Sequence, residues 1–177
     1  MSKPVTPYFL QYADGFLNMA CEQCYNDNSK TFVELKTLKT SSGDDTFYTG
    51  YLDDKGAKNG VGRIIYVSGN EYQGMFKGGL KEGKGRFHYA SNNSVYEGLW
   101  KGDLKEGLGK QTWETGAWYD GGWKANKKDG QATMVFEDGN TYVGPWKEDK
   151  MNGIHKVTKN GVTETIEYNM HKFVKKH

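Results

Sequence analysis

Apolar and polar side chains alternate along short stretches of this chain, and the alternation has a fixed internal order. In residues 96–100 a tyrosine, a glycine and a tryptophan occupy every second position. Residues two apart in a β-strand point to the same side of the sheet. Tyr96, Gly98 and Trp100 are therefore predicted to share one face, with Glu97 and Leu99 on the other.

The same order of residues recurs five times. Tyr-x-Gly begins at intervals of 24, 24, 23 and 23 residues, at Tyr48, Tyr72, Tyr96, Tyr119 and Tyr142. The bulky residue two positions beyond each glycine is, in turn, Leu52, Phe76, Trp100, Trp123 and Trp146. A second pair of positions follows, with glycine at most of them: Gly60/Gly62, Gly83/Gly85, Gly107/Gly109, Gly130/Ala132 and Gly153/His155. Repeats at fixed spacing predict a tandem-repeat architecture.

Turn-forming residues separate the alternating stretches. Glycine-containing runs stand within the units, at residues 77–82 and 101–106, and Asp138-Gly139 and Asn160-Gly161 stand between units. Such dipeptides are strong hairpin signals. We therefore predict an all-β repeat protein, an elongated, twisted, single antiparallel sheet of tandem β-hairpins with a short N-terminal helix. Five hairpins would extend on the order of 45–50 Å at about 4.8 Å per strand.

These spaced residues resemble the MORN (membrane occupation and recognition nexus) repeat, whose unit has Tyr-x-Gly-x-Trp followed by Gly-x-Gly. Residues 48–164 carry the resemblance, as five tandem repeats. Leu52, Ala132 and His155 depart from the pattern in the first, fourth and fifth units, and terminal repeats are commonly atypical because they cap the stack. The resemblance implies a scaffold at the cytoskeleton, at cilia or at membrane junctions, with a groove that accepts an α-helix.

The flanking segments have different patterns. Residues 7–25 place Phe9, Ala13, Phe16, Leu17, Ala20 and Cys24 at helical spacing, which predicts an amphipathic helix. Residues 31–38 alternate and predict a strand that leads into the first repeat. A closing strand is expected near residues 166–168, followed by a basic tail. The predicted division is 1–47 for the N-terminal helix and lead-in strand, 48–164 for the repeats, and 165–177 for the C-terminal cap and basic tail.

The charge and cysteine content indicate which partners and which cellular compartment are to be expected. The 24 basic and 22 acidic residues nearly cancel, so no strong field indicates a nucleic-acid partner. An apolar run of about 18 residues, which would predict a transmembrane helix, does not occur. The first residues lack the positively charged region and the apolar region that a secretion signal has. Two cysteines near the N-terminus cannot crosslink the repeats, so an intracellular, non-secreted protein is expected.

Motifs of catalysis are missing from the sequence, which contains no G-x-S-x-G, P-loop or dinucleotide fingerprint. Cys21 and Cys24 form one C-x-x-C, whereas a structural zinc site needs four ligands, so ordinary helix cysteines are the favoured interpretation. Glu82, Glu106 and Asp129 recur at the repeat period and are interpreted as solvated turn residues. We therefore predict a protein that is not an enzyme and uses no cofactor and no metal.

The aromatic face is the main candidate site. A single sheet leaves one apolar face to be covered, and an amphipathic helix of a partner in a larger complex would fit it. The predicted partner-binding residues are Tyr72, Phe76, Tyr96, Trp100, Tyr119, Trp123, Tyr142 and Trp146.

A second set of residues leaves an alternative open. Four lysines, each five residues after a repeat tyrosine, could form a stripe for anionic phospholipid: Lys77, Lys101, Lys124 and Lys147. Acidic neighbours weaken that stripe compared with the basic clusters of lipid-binding segments, and a solubilising edge is favoured. Protein binding should survive high salt, whereas lipid binding should not.

Overall fold

The computed structural model describes residues 31–39, 43 and 45–177, and the predicted helix over residues 7–25, with Cys21 and Cys24, lies outside them. The described chain forms one open antiparallel sheet of 14 strands. The strands are β1 (Thr31–Lys39), β2 (Asp45–Leu52), β3 (Lys58–Tyr66), β4 (Glu71–Lys77), β5 (Leu80–Tyr89), β6 (Ser94–Lys101), β7 (Leu104–Thr112), β8 (Trp118–Lys124), β9 (Lys127–Val135), β10 (Thr141–Lys147), β11 (Lys150–Met151), β12 (Gly153–Lys159), β13 (Val162–Asn169) and β14 (Lys172–Lys176).

Every strand pairs with its neighbour in sequence. The order runs from β1 to β10 and then through β12, β13 and β14, while the short β11 pairs with β10. The single antiparallel sheet of tandem hairpins is therefore confirmed, and so is the lead-in strand, which is β1. The residues predicted as a basic tail are instead the edge strand β14, which pairs with β13. Phe173 and Val174 between the lysines are residue types that favour strands, and they permit this extra hairpin.

Two kinds of turn connect the strands. The turns inside the second to fifth repeats have two central residues with positive φ, as at Gly102 (56°) and Asp103 (69°), or Ala125 (47°) and Asn126 (70°), whereas the first repeat has a longer turn at residues 53–57. Positive φ at both positions is the signature of a type I′ turn, whose twist matches that of the two strands. The longer turn between repeats is closed by a backbone hydrogen bond, such as the 2.9 Å bond from Trp113 N to Ala117 O.

Each turn inside a repeat is also bonded to the preceding repeat. The Asp103 amide donates to the Lys81 carbonyl at 3.1 Å, and the Lys81 amide donates to the Asp103 carboxylate at 2.9 Å. Glu82 accepts a hydrogen bond from the Gly102 amide at 3.0 Å. Glu106 and Asp129 accept equivalent bonds from the next two turns. The interpretation of these three carboxylates as merely solvated is therefore wrong, because they join adjacent hairpins.

One face of the sheet carries the core. Burial alternates along each repeat strand, as in β4, where Tyr72, Gly74 and Phe76 are buried and their neighbours are more exposed. The predicted strand phase is confirmed. Within residues 31–39 and 45–177, no second layer of secondary structure lies over this face.

Candidate binding face

Pairs of glycines lie beneath the rings of Tyr48, Tyr72 and Tyr96 and form the floor of the aromatic face. The ring of Tyr96 lies so close to the backbone that a Cβ atom placed on Gly98 would be 2.5 Å from the Tyr96 hydroxyl oxygen. Gly109, which is the cross-strand partner of Gly98, is covered by the same ring. The tyrosine hydroxyl then donates to the carbonyl of Leu99 at 3.0 Å. The Tyr-x-Gly pattern is thus a requirement of packing.

The aromatic rings form a continuous ladder along the sheet. Tyr72, Tyr96 and Tyr119 each contact the large ring of their own repeat and that of the next one, and Tyr48 contacts Phe76 of the next repeat. The seven ring pairs that connect Tyr48 to Trp146 have centroids 5.0–5.6 Å apart and interplanar angles of 79–90°. Edge-to-face pairs of this kind stabilise by about 0.5–1.5 kcal/mol each beyond the area that they bury.

Burial raises the pKa of the repeat tyrosines well above its ordinary value, because a phenolate would be desolvated beneath the ladder. This effect applies to Tyr48, Tyr72, Tyr96 and Tyr119. Their hydroxyls are therefore neutral donors at any physiological pH, and their place is structural.

The structure brings all eight predicted partner-binding residues together on this face and buries every one of them. Because they are buried within the face, a partner cannot contact most of their surface directly. Their role in partner binding remains a prediction.

The accessible rings of the same face were missed by the sequence analysis. They stand four residues beyond the second glycine position of each repeat, at Tyr66, Tyr89, Trp113 and Phe136. The first three are half-buried and Phe136 is exposed. They line one margin of the aromatic face. The signal that could have found them was an aromatic residue four positions after Gly62, Gly85, Gly109 and Ala132.

A row of lysines crosses the same face and was also missed. The lysines stand two residues before the first glycine of each second pair, at Lys58, Lys81, Lys105 and Lys128, and Met151 takes the place of the fifth. We call these four residues the lysine row. The Lys81 ammonium lies 5.0 Å from the Trp100 ring centroid, and the Lys128 ammonium lies 5.0 Å from that of Trp146. A cation above a ring face is stabilised by the quadrupole of the ring.

Burial lowers the pKa of each ammonium in the lysine row, because the rings exclude water from it. Asp103 opposes this effect at Lys81, where the two charged groups are 3.6 Å apart. The pKa of Lys105 falls furthest, to about 8. The face therefore combines an apolar floor with a line of partly desolvated positive charge.

The lysines of the predicted lipid stripe lie elsewhere. Lys77, Lys101, Lys124 and Lys147 are the last residues of β4, β6, β8 and β10, so they line one margin of the sheet, and all four are exposed. Over the described ranges no group of acidic, histidine or cysteine side chains could hold a metal ion. The described residues also contain no helix that could span a bilayer.

The chain is similar to known structures and, in sequence, to a family of repeats. No curated protein matches the chain. Among solved structures, the TCP10 domain of Danio rerio CPAP in complex with a STIL peptide is similar with a TM-score of 0.43 and 11% identity, over 76% of this chain and 64% of that one. The TCP domain of SAS-4 (dCPAP) of Drosophila melanogaster, with a proline-rich motif of Ana2 (dSTIL), gives a TM-score of 0.38 and 15% identity, over 80% and 88%.

The family comparison concerns the centre of the sheet. The MORN repeat model matches residues 72–94, 96–118 and 119–141. These ranges begin at Tyr72, at Tyr96 and at Tyr119, which are three of the repeat tyrosines in the aromatic ladder. The chain therefore contains three tandem MORN repeats between residues 72 and 141.

Proposed function

We propose that the protein is a non-catalytic scaffold that binds a helical segment of a partner protein along its aromatic face, as a structural component of a larger assembly. One observation carries the proposal: half-exposed rings and the lysine row lie together on one face of a single sheet. An amphipathic helix that binds in a groove needs such a surface, with apolar anchors and a charged margin. The proposal assigns no catalytic residue and no cofactor.

Two further hairpins extend the binding face in this proposal. The Tyr48 hydroxyl donates to the Tyr51 carbonyl at 2.9 Å, as the Tyr72 hydroxyl does to that of Met75. In the last unit, Gly144 lies beneath His155 instead of a tyrosine, since a Cβ atom on Gly144 would be 2.6 Å from the His155 ring. We infer that residues 48–71 and 142–164 are divergent repeats, which makes five, with 1–47 and 165–177 as flanking segments.

Photocrosslinking tests which face binds the partner. A benzophenone amino acid would replace Phe136, which is 37% exposed on the aromatic face, or Leu108, which is 70% exposed on the opposite face. In cells, the Phe136 position should crosslink to a partner protein and the Leu108 position should not. Crosslinks from Leu108 alone would place the interface on the wrong side for this proposal. Retention of the partner in high salt separates this binding from surface electrostatics.

The N-terminal segment has its own test. Residues 7–25 are proposed to form an amphipathic helix that covers part of the aromatic face or docks on a partner. An isolated helix of that length is marginal in water, so it should fold only when docked. Deletion of residues 1–25 should increase the binding of a hydrophobic dye if the segment covers the face. The deletion should leave stability unchanged and abolish partner capture if the segment serves only the partner.

The alternative function is membrane association through Lys77, Lys101, Lys124 and Lys147. Their exposure at one margin is the observation in its favour, and nearby acidic residues such as Glu148 and Asp149 oppose it by lowering the net charge there. Vesicles that contain phosphatidylserine test it, because lipid binding would be lost when all four are changed to glutamine. In the scaffold proposal, the protein acts inside the cell, at the cytoskeleton or a cilium.

A further inference from the structure

We infer that the Lys105 ammonium is the anchor for a carboxylate side chain of the bound partner segment. The inference rests on the proposed function and adds to it the chemistry of the partner. It follows from two positions at which the repeat around Lys105 differs from its neighbours, both of which change the surroundings of this one ammonium group.

The first departure removes a negative charge. The backbone amide of Lys81 donates a hydrogen bond to the Asp103 carboxylate in the facing turn, and the amide of Lys128 donates one to the Asp149 carboxylate. Both bonds are 2.9 Å long. At Lys105 the same bond is made to the Asn126 side chain, also at 2.9 Å. Asn126 keeps the turn geometry, with φ of 70° against 69° for Asp103. The substitution preserves the turn and replaces its carboxylate with a neutral amide, so Lys105 lacks the adjacent charge that Lys81 has. The turn at Lys58, with Gly79 in this place, also lacks the carboxylate, and the more distant Asp149 still raises the pKa of Lys105.

The second departure places a polar side chain in the core. Gln111 is buried at the position that Ile64, Phe87, Met134 and Val157 occupy in the other repeats. Its Oε1 accepts a hydrogen bond from the Lys105 Nζ at 2.7 Å. Within the described chain this is the hydrogen bond that the ammonium group makes, and an ammonium has three donors. The remaining donors can therefore be used by a ligand.

Aromatic rings complete the site. The Lys105 Nζ lies 4.5 Å from the ring centroid of Tyr96, 4.6 Å from that of Trp123 and 5.0 Å from that of Tyr89. The rings hold the ammonium in place and exclude water, which strengthens any ion pair that forms there. Charge-assisted bonds in such a site are among the strongest that a side chain makes.

The charge at Lys105 is also unfavourable for the fold. Burial lowers the pKa of Lys105 to about 8, so the folded chain holds the ammonium at a disadvantage. Met151 occupies the equivalent position in the last unit, where the hairpin forms without a charge. A destabilising charge that the architecture does not require indicates a binding role.

A protein carboxylate fits this site better than a lipid headgroup does. The ammonium lies among rings on the same face as the apolar margin, so one side chain of an amphipathic segment can reach it while neighbouring apolar side chains contact Trp113 and Phe136. A flat bilayer would instead meet the exposed lysines at the sheet margin. The partner segment is therefore expected to have Asp or Glu between apolar residues.

The experiment uses the full-length chain and displayed random peptides selected for binding to it. The selected peptides should be enriched in Asp or Glu flanked by apolar residues. For one such peptide, Lys105→Met and Asn126→Asp should each weaken binding about tenfold or more, because one removes the cation and the other neutralises it. A peptide with Gln in place of its acidic residue should lose a similar factor, and Lys105→Met should weaken that peptide no further.

Controls separate the inference from the proposed function. Lys101→Met changes an exposed lysine of the same repeat and should leave peptide binding unchanged, and thermal unfolding should show that every variant is folded. If Trp113→Ala abolishes binding while Lys105→Met and Asn126→Asp do not, the carboxylate anchor is wrong and the aromatic face still binds peptides. If no peptide binds, or if binding ignores Trp113 and Phe136, both proposals fail. Loss of phosphatidylserine vesicle binding, but not peptide binding, in Lys105→Met would identify a headgroup instead.

Discussion

The Trp123 indole nitrogen donates a hydrogen bond to the Gly109 carbonyl at 2.9 Å, across two adjacent strands. Trp146 stands in the same place one repeat later, opposite Gly130, and its buried indole nitrogen has no hydrogen-bond partner within the described chain. The two tryptophans therefore differ by one hydrogen bond in otherwise similar packing. Substitution of the two tryptophans should therefore change the free energy of unfolding by different amounts.

Trp123→Phe is expected to reduce the free energy of unfolding by about 1 kcal/mol more than Trp146→Phe does. Only the first change removes a buried hydrogen bond, which contributes about 0.5–1.5 kcal/mol. Denaturant titration measures both values.

Truncation of Trp123 should have a much larger effect than truncation of its neighbour. Trp123→Ala should reduce the free energy of unfolding by about 3–5 kcal/mol, whereas Lys124→Ala should change it by no more than about 0.5 kcal/mol. Similar losses for Trp123→Ala and Lys124→Ala would contradict the assigned face.

Gly98→Ala should destabilise the sheet more than Leu99→Ala, although it only adds a methyl group. The new Cβ atom would lie 2.5 Å from the Tyr96 hydroxyl oxygen and 2.6 Å from the Gly109 Cα atom, so the ring must leave the floor. Overpacking of this kind costs about 1–3 kcal/mol. Leu99 is exposed on the opposite face and serves as the neighbouring control. Thermal unfolding that ranks the two variants in the reverse order would refute the tyrosine-on-glycine packing.

Lys105→Met should stabilise the protein at pH 7, by an amount on the order of 1–2 kcal/mol. The pKa of Lys105 is about 8 in the folded chain and 10.5 ordinarily, so between these values the unfolded chain binds more protons. Wild-type stability therefore rises from pH 8 towards pH 10.5, and the variant lacks that rise. The advantage of the variant should be largest below pH 8 and shrink above it. A constant difference in melting temperature from pH 7 to pH 9.5 would rule out a buried, titrating ammonium.

The His155 imidazole should make the C-terminal hairpins sensitive to acid. Burial lowers its pKa below the ordinary 6.5, so the unfolded chain takes up a proton first as the pH falls. The free energy of unfolding should therefore decrease below about pH 6.5 and level off once the folded-state pKa is passed. Hydrogen exchange in β12 and β13 measures the effect. His155→Phe should reduce the slope, and the double variant with His171→Phe should reduce it further, because burial also lowers the pKa of His171.

Much of this architecture could be predicted from spacing alone. Tyr96, Gly98 and Trp100 stand two residues apart, and in an antiparallel sheet that parity determines which side chains are buried together. Short turns with glycine or asparagine then allow consecutive strands to be joined only as hairpins. The edge strand β14 was missed because its two-residue turn is Met170-His171, with φ of 50° and 72°, a pair that carries no turn signature in the sequence.

The candidate site was only half predictable. The two-residue spacing placed the eight aromatic residues on the correct face of the sheet. It does not distinguish a buried position on that face from an accessible one. That difference depends on which ring covers which, as when the Trp123 ring covers Tyr96. The importance of Lys105 depends on Gln111 and Asn126, which are six and 21 residues away in sequence and meet the lysine only in the folded sheet.

Pairing restricted to sequence neighbours also has a mechanical consequence. When the two ends of such a sheet are pulled apart, the hairpins can detach one after another, because each of the 14 described strands pairs only with strands near it along the chain. Detachment should begin at the C-terminal end, where the Trp146 and His155 side chains each contain a buried nitrogen without a hydrogen-bond partner in the described chain. Each detached repeat of about 23 residues would add about 80 Å of extended chain. Under load, the molecule would behave as a stepwise extensible tether.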